Sequence, residues 1–191
     1  MNTDKLKTKD IITVVLMSLI NIVIFSIGSL FYLMPVTILL MPVFYSLLQG
    51  IVFYMIGVKV QKKGAIFLYC VIQGVIGFNI PYIAMFLLAG IIGEILLSKQ
   101  GYGNPKALGI SYVIMQVLAS FGSTIYPYGI VLDATLDNMG NSAGDLGVNV
   151  RAAGEMIGSW GMAVLILAIL VSAIAGAYAG YRVMKKHFDT M

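Results

Sequence analysis

KLKTKDIITVVLMSLINIVIFSIGSLFY, residues 5–32, is the stretch that decides the fold. Three lysines, Lys5, Lys7 and Lys9, give way at Ile11 to a run that carries no charge as far as Tyr32. A helix rises 1.5 Å per residue, so about 20 apolar residues cross the ~30 Å hydrocarbon core of a bilayer. This run is long enough, and its cationic flank marks the cytoplasmic side. Five further apolar runs follow, at 37–58, 64–80, 82–98, 107–129 and 153–181. Threaded alternately through a membrane, the six runs place all of the 12 Lys and Arg residues except Arg151 on the side of the amino terminus. The reversed threading would put nearly every positive charge on the wrong face. The chain therefore reads as an all-α membrane protein of six transmembrane helices with both termini cytoplasmic.

With 191 residues, 60% hydrophobic and 10% charged, the chain forms one transmembrane domain over residues 1–191 and leaves no room for a separate soluble one. A net charge of +4 in a soluble protein would point toward nucleic acid. Here the asymmetry across the membrane accounts for the same charges, and no nucleic-acid partner is expected. Cys70, the single cysteine, has no internal disulfide partner and reads as a small packing residue of the third run. The first run exceeds the roughly 7–15 residues of a signal-peptide core, so it is expected to stay in the membrane.

Punctuation organises the bundle. Pro42 lies inside the second run, where a kink is expected. Gly77-Phe78-Asn79-Ile80-Pro81 turns the chain between the third and fourth runs, and Gly101-Tyr102-Gly103-Asn104-Pro105 opens the fifth. Residues 133–151 mix Gly, Asn, Asp and Ser without helical periodicity and read as a long external loop, a candidate lid. In the sixth run Gly154 and Gly158, then Ser172, Gly176 and Gly180, recur at four-residue spacing. Such a flat stripe admits a close backbone, either of a neighbouring helix of the bundle or of another membrane protein. No internal repeat of the kind found in secondary transporters is visible.

The chemistry of a membrane enzyme is missing. His187, the only histidine, sits in the basic tail, and neither an H-E-x-x-H nor a P-loop is present. No metal or cofactor is expected. No run carries the repeated polar stripe of a channel.

What remains is a set of polar and aromatic residues gathered toward the outer half. Gln73, Asn79 with neighbouring Tyr82, Tyr126 after Thr124, Asp133, Glu155 and Trp160 are candidate substrate contacts. Tyr45 and Gln49, four apart and so on one helix face, would form a deeper floor. Amides and carboxylates that read a ring's edge, together with aromatics that stack on its face, suit a small polar ring-containing ligand. The plainer reading is that the tyrosines and Trp160 form an interfacial belt and that Arg151 and Glu155 serve a helix end. Asn21 and Gln116 lie near mid-membrane, where amides usually bond across helices. Glu94, near the inner end of the fourth run, needs water, Lys99 or a partner to offset its charge.

Thr8-Lys9-Asp10-Ile11-Ile12, the Leu33-Met34-Pro35 turn, Gly109-Ile110-Ser111-Tyr112, the region of Asp133 and the ending Met184-Lys185-Lys186-His187-Phe188 resemble the Trep_Strep family of bacterial integral membrane proteins. That family in turn resembles the substrate-binding S components of energy-coupling factor (ECF) importers. The resemblance implies a multi-pass protein of the bacterial cell membrane that captures a small heteroaromatic vitamin or precursor, of hydroxymethylpyrimidine or vitamin B6 type. It also implies a transmembrane coupling (T) component and two cytoplasmic ABC-type ATPases, which would use the ATP. Docking to the T component through small residues would fall on Ser18, Ser26 and Ser29 of the first run, with Gly176 and Gly180 as a further surface. The first run lacks an Ala-x-x-x-Ala pair. The turn at Gly77–Pro81 lacks the His and Trp of many relatives, which implies a different ligand. Two other classes stay open: a stand-alone proton-coupled permease, cycling Glu94 or Glu155, and a membrane scaffold built on the glycine stripe.

Overall fold

The computed structural model describes residues 5–77, 79–140 and 144–188. Its elements are α1 (Thr8–Ser26) with a 3₁₀ extension (Ile27–Leu33), α2 (Pro35–Lys59), α3 (Ala65–Ile76), α4 (Ile80–Gln100), α5 (Pro105–Ser120) with a π-helical extension (Phe121–Ile130), α6 (Leu132–Met139) and α7 (Gly144–Phe188). Five helices are long and apolar enough to cross a membrane: Thr8–Leu33, Pro35–Lys59, Ile80–Gln100, Pro105–Ile130 and Trp160–Lys185. Their outward faces are apolar, as lipid contact requires; Leu16, Val23, Leu30, Val164 and Val171 are all well exposed.

The expected third crossing is where the count of six falls short. The apolar run 64–80 yields a helix of only 12 residues, about 18 Å long. The chain turns at Gly77, Asn79 stands at the cap, and α4 begins at Ile80 with Pro81 in its first turn, where a missing N–H costs nothing. Hydropathy runs straight through this turn, but backbone chemistry does not. A second difference lies in the expected loop at 133–151. Most of its described residues are helical, in α6 and in the start of α7. Leu132, Leu136 and Met139, at helical spacing, pack on a cluster formed by Ile38, Tyr128, Val150, Ala153 and Ile157. Polar residues between those three hide their period.

α7 pairs with α2 more extensively than any other two elements do. A Cβ on Gly176 would lie 2.1 Å from the Ser46 carbonyl oxygen, and one on Gly180 would lie 2.4 Å from that of Gly50. A Cβ on Gly50 would in turn collide with the Gly176 carbonyl oxygen. Backbone therefore touches backbone along the stripe. Gly176 and Gly180 are buried inside the bundle, which corrects the expectation that they present a docking surface. Ser18 is likewise buried, its hydroxyl donating to the Val14 carbonyl at 2.8 Å, whereas Ser26 and Ser29 remain exposed.

At the basic end, Lys62 of the α2–α3 turn bonds Asp10 of α1 at 2.7 Å. Glu94 accepts from the backbone N–H of Gly64 at 3.0 Å, from that of Phe67 at 3.2 Å and from the Tyr102 hydroxyl at 3.1 Å. Its carboxylate thus supplies the N-terminal cap that α3 lacks from its own Gly64, at the positive end of that helix. Burial first, then the Glu94 charge and hydrogen bond, push the Tyr102 phenol up to about 12, so it remains a donor.

Two stability predictions follow from these contacts. Gly176→Ala should lower thermal stability in detergent by about 1–3 kcal/mol, the usual cost of overpacking, while Ala175→Leu, on the exposed face, should be neutral. Glu94→Ala should cost about 1–2 kcal/mol by stranding the first N–H groups of α3, with Glu94→Gln recovering part of the loss. Thermal unfolding of the purified variants checks both.

Candidate functional site

The short α3 shapes the end of the molecule opposite the lysines. Because α3 stops after 12 residues, the α3–α4 turn packs low against the α5 rod. Gly122 permits this: a Cβ there would lie 2.7 Å from the Pro81 carbonyl oxygen and 2.8 Å from the Tyr82 Cα. The contact falls at the start of the π-helix, where the rod widens, and that segment contains Pro127. Proline removes an N–H and crowds the preceding turn, and a wider helix relieves the crowding. The Pro127 carbonyl is taken up by the Thr135 hydroxyl of α6 at 2.8 Å, which fixes α6 across the top.

Two hollows result, and adjacent residues of α4 line them. Pro81 lines a recess beneath α6 of about 820 Å³, open mouth included, together with Asn79, Tyr126, Thr135 and Asn138. Tyr82 lines a deeper cleft of about 310 Å³, mouth included, between α1, α2, α4 and α5. Its polar lining is Tyr45, Gln49, Tyr82, Gln116, Ser120 and Ser123, and its apolar lining includes Phe25, Met41 and Ala119. The inner part of this cleft is pinched to roughly the room of one water molecule. A ring-sized ligand would have to displace the side chains that close it.

Hydrogen bonds hold the cleft floor rigidly. Gln116 donates through Nε2 to Gln49 Oε1 at 3.0 Å, and the Ser46 hydroxyl approaches Gln116 Oε1 at 3.4 Å. Tyr112 donates to the Ser46 carbonyl at 2.6 Å. The Tyr45 hydroxyl donates to the Phe25 carbonyl at 2.9 Å, and the two rings stack at 5.6 Å between centroids. Tyr45 reaches across because Gly28 leaves space there; a Cβ would lie 1.9 Å from the hydroxyl. Among the described residues, no charged side chain lines the cleft. Among the described residues, no group of His, Cys, Asp or Glu is placed to hold a metal ion.

The residues singled out in the sequence divide. Tyr45 and Gln49 line the deep cleft, and Asn79 and Tyr126 line the recess above. Gln73 is buried, its amide reaching the Ser18 carbonyl at 3.5 Å, and lines neither hollow. Asp133 points to solvent, 3.8 Å from Arg151, in an exposed pair of little energetic weight. Glu155 is exposed, and Trp160 is 86% exposed just past the break in α7 at Gly158. Trp160 thus takes the position of a membrane-interface aromatic, and the Ser159 side chain lies outside the described residues. Sequence reasoning took Gln116 for structure alone and passed over Ser120 and Ser123. Their signal was the i, i+4 spacing of Gln116 and Ser120 on one face of an otherwise apolar helix.

Gln116→Leu would leave the Gln49 carbonyl unpaired in the bundle. The single variant should lose about 1–2 kcal/mol of stability. Adding Gln49→Leu should recover much of that loss. A double-mutant cycle on thermal unfolding measures the coupling.

No curated protein and no solved structure matches the chain significantly. A family profile described as a hypothetical bacterial integral membrane protein, Trep_Strep, matches residues 8–190. Almost the whole of the apolar bundle falls within that match, and the chain belongs to the Trep_Strep family of bacterial integral membrane proteins.

Proposed function

We propose that the protein is a substrate-binding membrane subunit, an S component, of an ATP-driven importer, and that it captures a small neutral heteroaromatic compound of pyrimidine or pyridine type. The observation that carries this reading is the deep cleft. It joins paired amides, Gln49 and Gln116, to the hydroxyls of Tyr82, Ser120 and Ser123 and to the ring of Phe25, without a charged group. Amides and hydroxyls read the edge of a nitrogen heterocycle, and aromatic walls hold its face. A phosphorylated or permanently cationic vitamin would find no counter-charge there, which favours the uncharged precursor of each type.

With the lysine-rich end in the cytoplasm, the cleft and its recess open outward, as capture requires. α6 then lies over the entrance in the place of the expected lid. The chain carries no ATP-binding loop, so energy comes from a T component and two cytoplasmic ATPases. Exposed Ser26 and Ser29 on α1 remain open to such a partner. A proton-coupled carrier has less support: Glu94 is committed to the start of α3, and Glu155 is exposed away from the cleft. A scaffold built on the glycine stripe fares no better, since α2 already fills that stripe.

The test is to purify the protein, denature it and identify any released small molecule by mass spectrometry, then measure affinity by titration. A stoichiometric pyrimidine or pyridine compound is expected. Gln49→Ala should weaken its binding tenfold or more, by roughly the value of a lost buried hydrogen bond, and Trp160→Ala should change it less than twofold. Absence of binding across a panel of B vitamins and their precursors would sink the proposal.

A further inference from the structure

At the basic end, on the lipid-facing side of the bundle, α5 and α7 diverge to leave a groove of about 1240 Å³, open side included. It exists because the positions between the two helices are small. Gly109 and Ala177 leave the ring of Tyr54 as a floor; a Cβ on Gly109 would lie 2.8 Å from the Tyr54 hydroxyl. Ile110, Val113 and Ile174 make the walls apolar over the first nine residues of α5, about 13 Å of helix.

Only one end of the groove is polar. Lys106 lines it there and is exposed. Arg182, one turn beyond Tyr178 on α7, bonds the Tyr178 hydroxyl at 2.8 Å, and Tyr178 lines the groove. α5 begins at Pro105, so the positive end of its helix dipole lies at the same place. Neither Lys106 nor Arg182 has a carboxylate partner among the described residues, and no carboxylate lines the groove.

We propose that this groove binds one anionic phospholipid of the leaflet at the basic end, its acyl chain lying against Tyr54, Ile110 and Ile174 and its phosphate between Lys106 and Arg182. The distribution of charge is what selects the occupant. An amphiphile with one anionic head matches an apolar trough with one cationic end. A transmembrane helix of a partner protein matches it poorly, because that helix would bring its own flanking Lys and Arg residues to the same membrane face, against Lys106 and Arg182. Acyl chains gain little by leaving lipid for protein, so selectivity rests in the headgroup. Each cation near an anionic lipid surface is worth roughly fivefold in affinity.

The experiment is native mass spectrometry of the full chain, released from detergent containing equal phosphatidylglycerol and phosphatidylcholine, with a parallel titration in nanodiscs of the same lipids. The expected result is one phosphatidylglycerol retained in preference to phosphatidylcholine. Lys106→Gln with Arg182→Gln should remove that preference, about 25-fold for the pair, while leaving phosphatidylcholine retention unchanged. Lys99→Gln, at the end of α4, should have no effect and serves as the control. Gly109→Leu should fill the trough and eject both lipids; since it also presses on Tyr54, the two charge variants on the surface decide the matter if it misfolds. Equal retention of the two lipids would overturn the proposal. So would a phosphatidylglycerol preference that survives the double charge variant, or a co-purifying protein that protects the groove without lipid selectivity.

Discussion

Three glycines set the frame on which everything else is hung. Where Gly50 of α2 meets Gly176 and Gly180 of α7, main chain lies on main chain, closer than any side chain would allow. Inside a bilayer there is no hydrophobic gain in pressing one apolar helix on another, so close dispersion contact and interhelical hydrogen bonds hold a bundle together. The glycine contact also fixes rotation. Once the stripe of α7 faces Gly50, α2 aims Gln49 toward α5 and Tyr45 toward α1. Gln116 and Tyr112 then complete the seam with Gln49 and Ser46. A rotation of one residue on α2 would turn Gln49 away from Gln116 and leave both amides unpaired in the membrane, where the cost is high.

The two ends of the bundle are built on different chemistry. At the basic end, charge is consumed locally: Asp10 bonds Lys62, and Glu94 closes the N-terminus of α3. At the other end the fastenings are neutral apart from the weak, exposed Asp133–Arg151 pair. Tyr32 and Tyr128 share a hydrogen bond at 3.0 Å, Asn149 donates to the Tyr32 and Leu33 carbonyls at 3.0 and 3.2 Å, and Thr135 holds the π-helix. The pinched cleft lies beneath these fastenings.

Much of this was legible in the sequence, for identifiable reasons. Bilayer thickness dictates the length of an apolar run, so the long crossings stood out and the lysines ordered their ends. α3 misled in length alone: the turn at Gly77–Pro81 was legible, but the apolar run before it was counted as a full crossing although its helix has only 12 residues. α6 was hidden because three apolar residues in an eight-residue helix look like a polar loop when composition is weighed without period. The residues singled out for a site divide between those that line the hollows and those that do not. Tyr45, Gln49, Asn79 and Tyr126 sit in the two hollows. Gln73, Asp133, Glu155 and Trp160 do not, because a polar residue near a helix end advertises depth and says nothing of azimuth. Azimuth comes from packing, and the glycines that set it were legible only as a stripe without a partner.

The neutrality of the cleft reaches beyond recognition. Its lining offers amides, serines and two tyrosines, and free tyrosine ionises only near ~10. Nothing around a molecule seated there changes charge between mildly acidic and mildly alkaline surroundings. Under the proposed capture role, binding in the cleft would vary across that range only with the ionisation of the ligand itself.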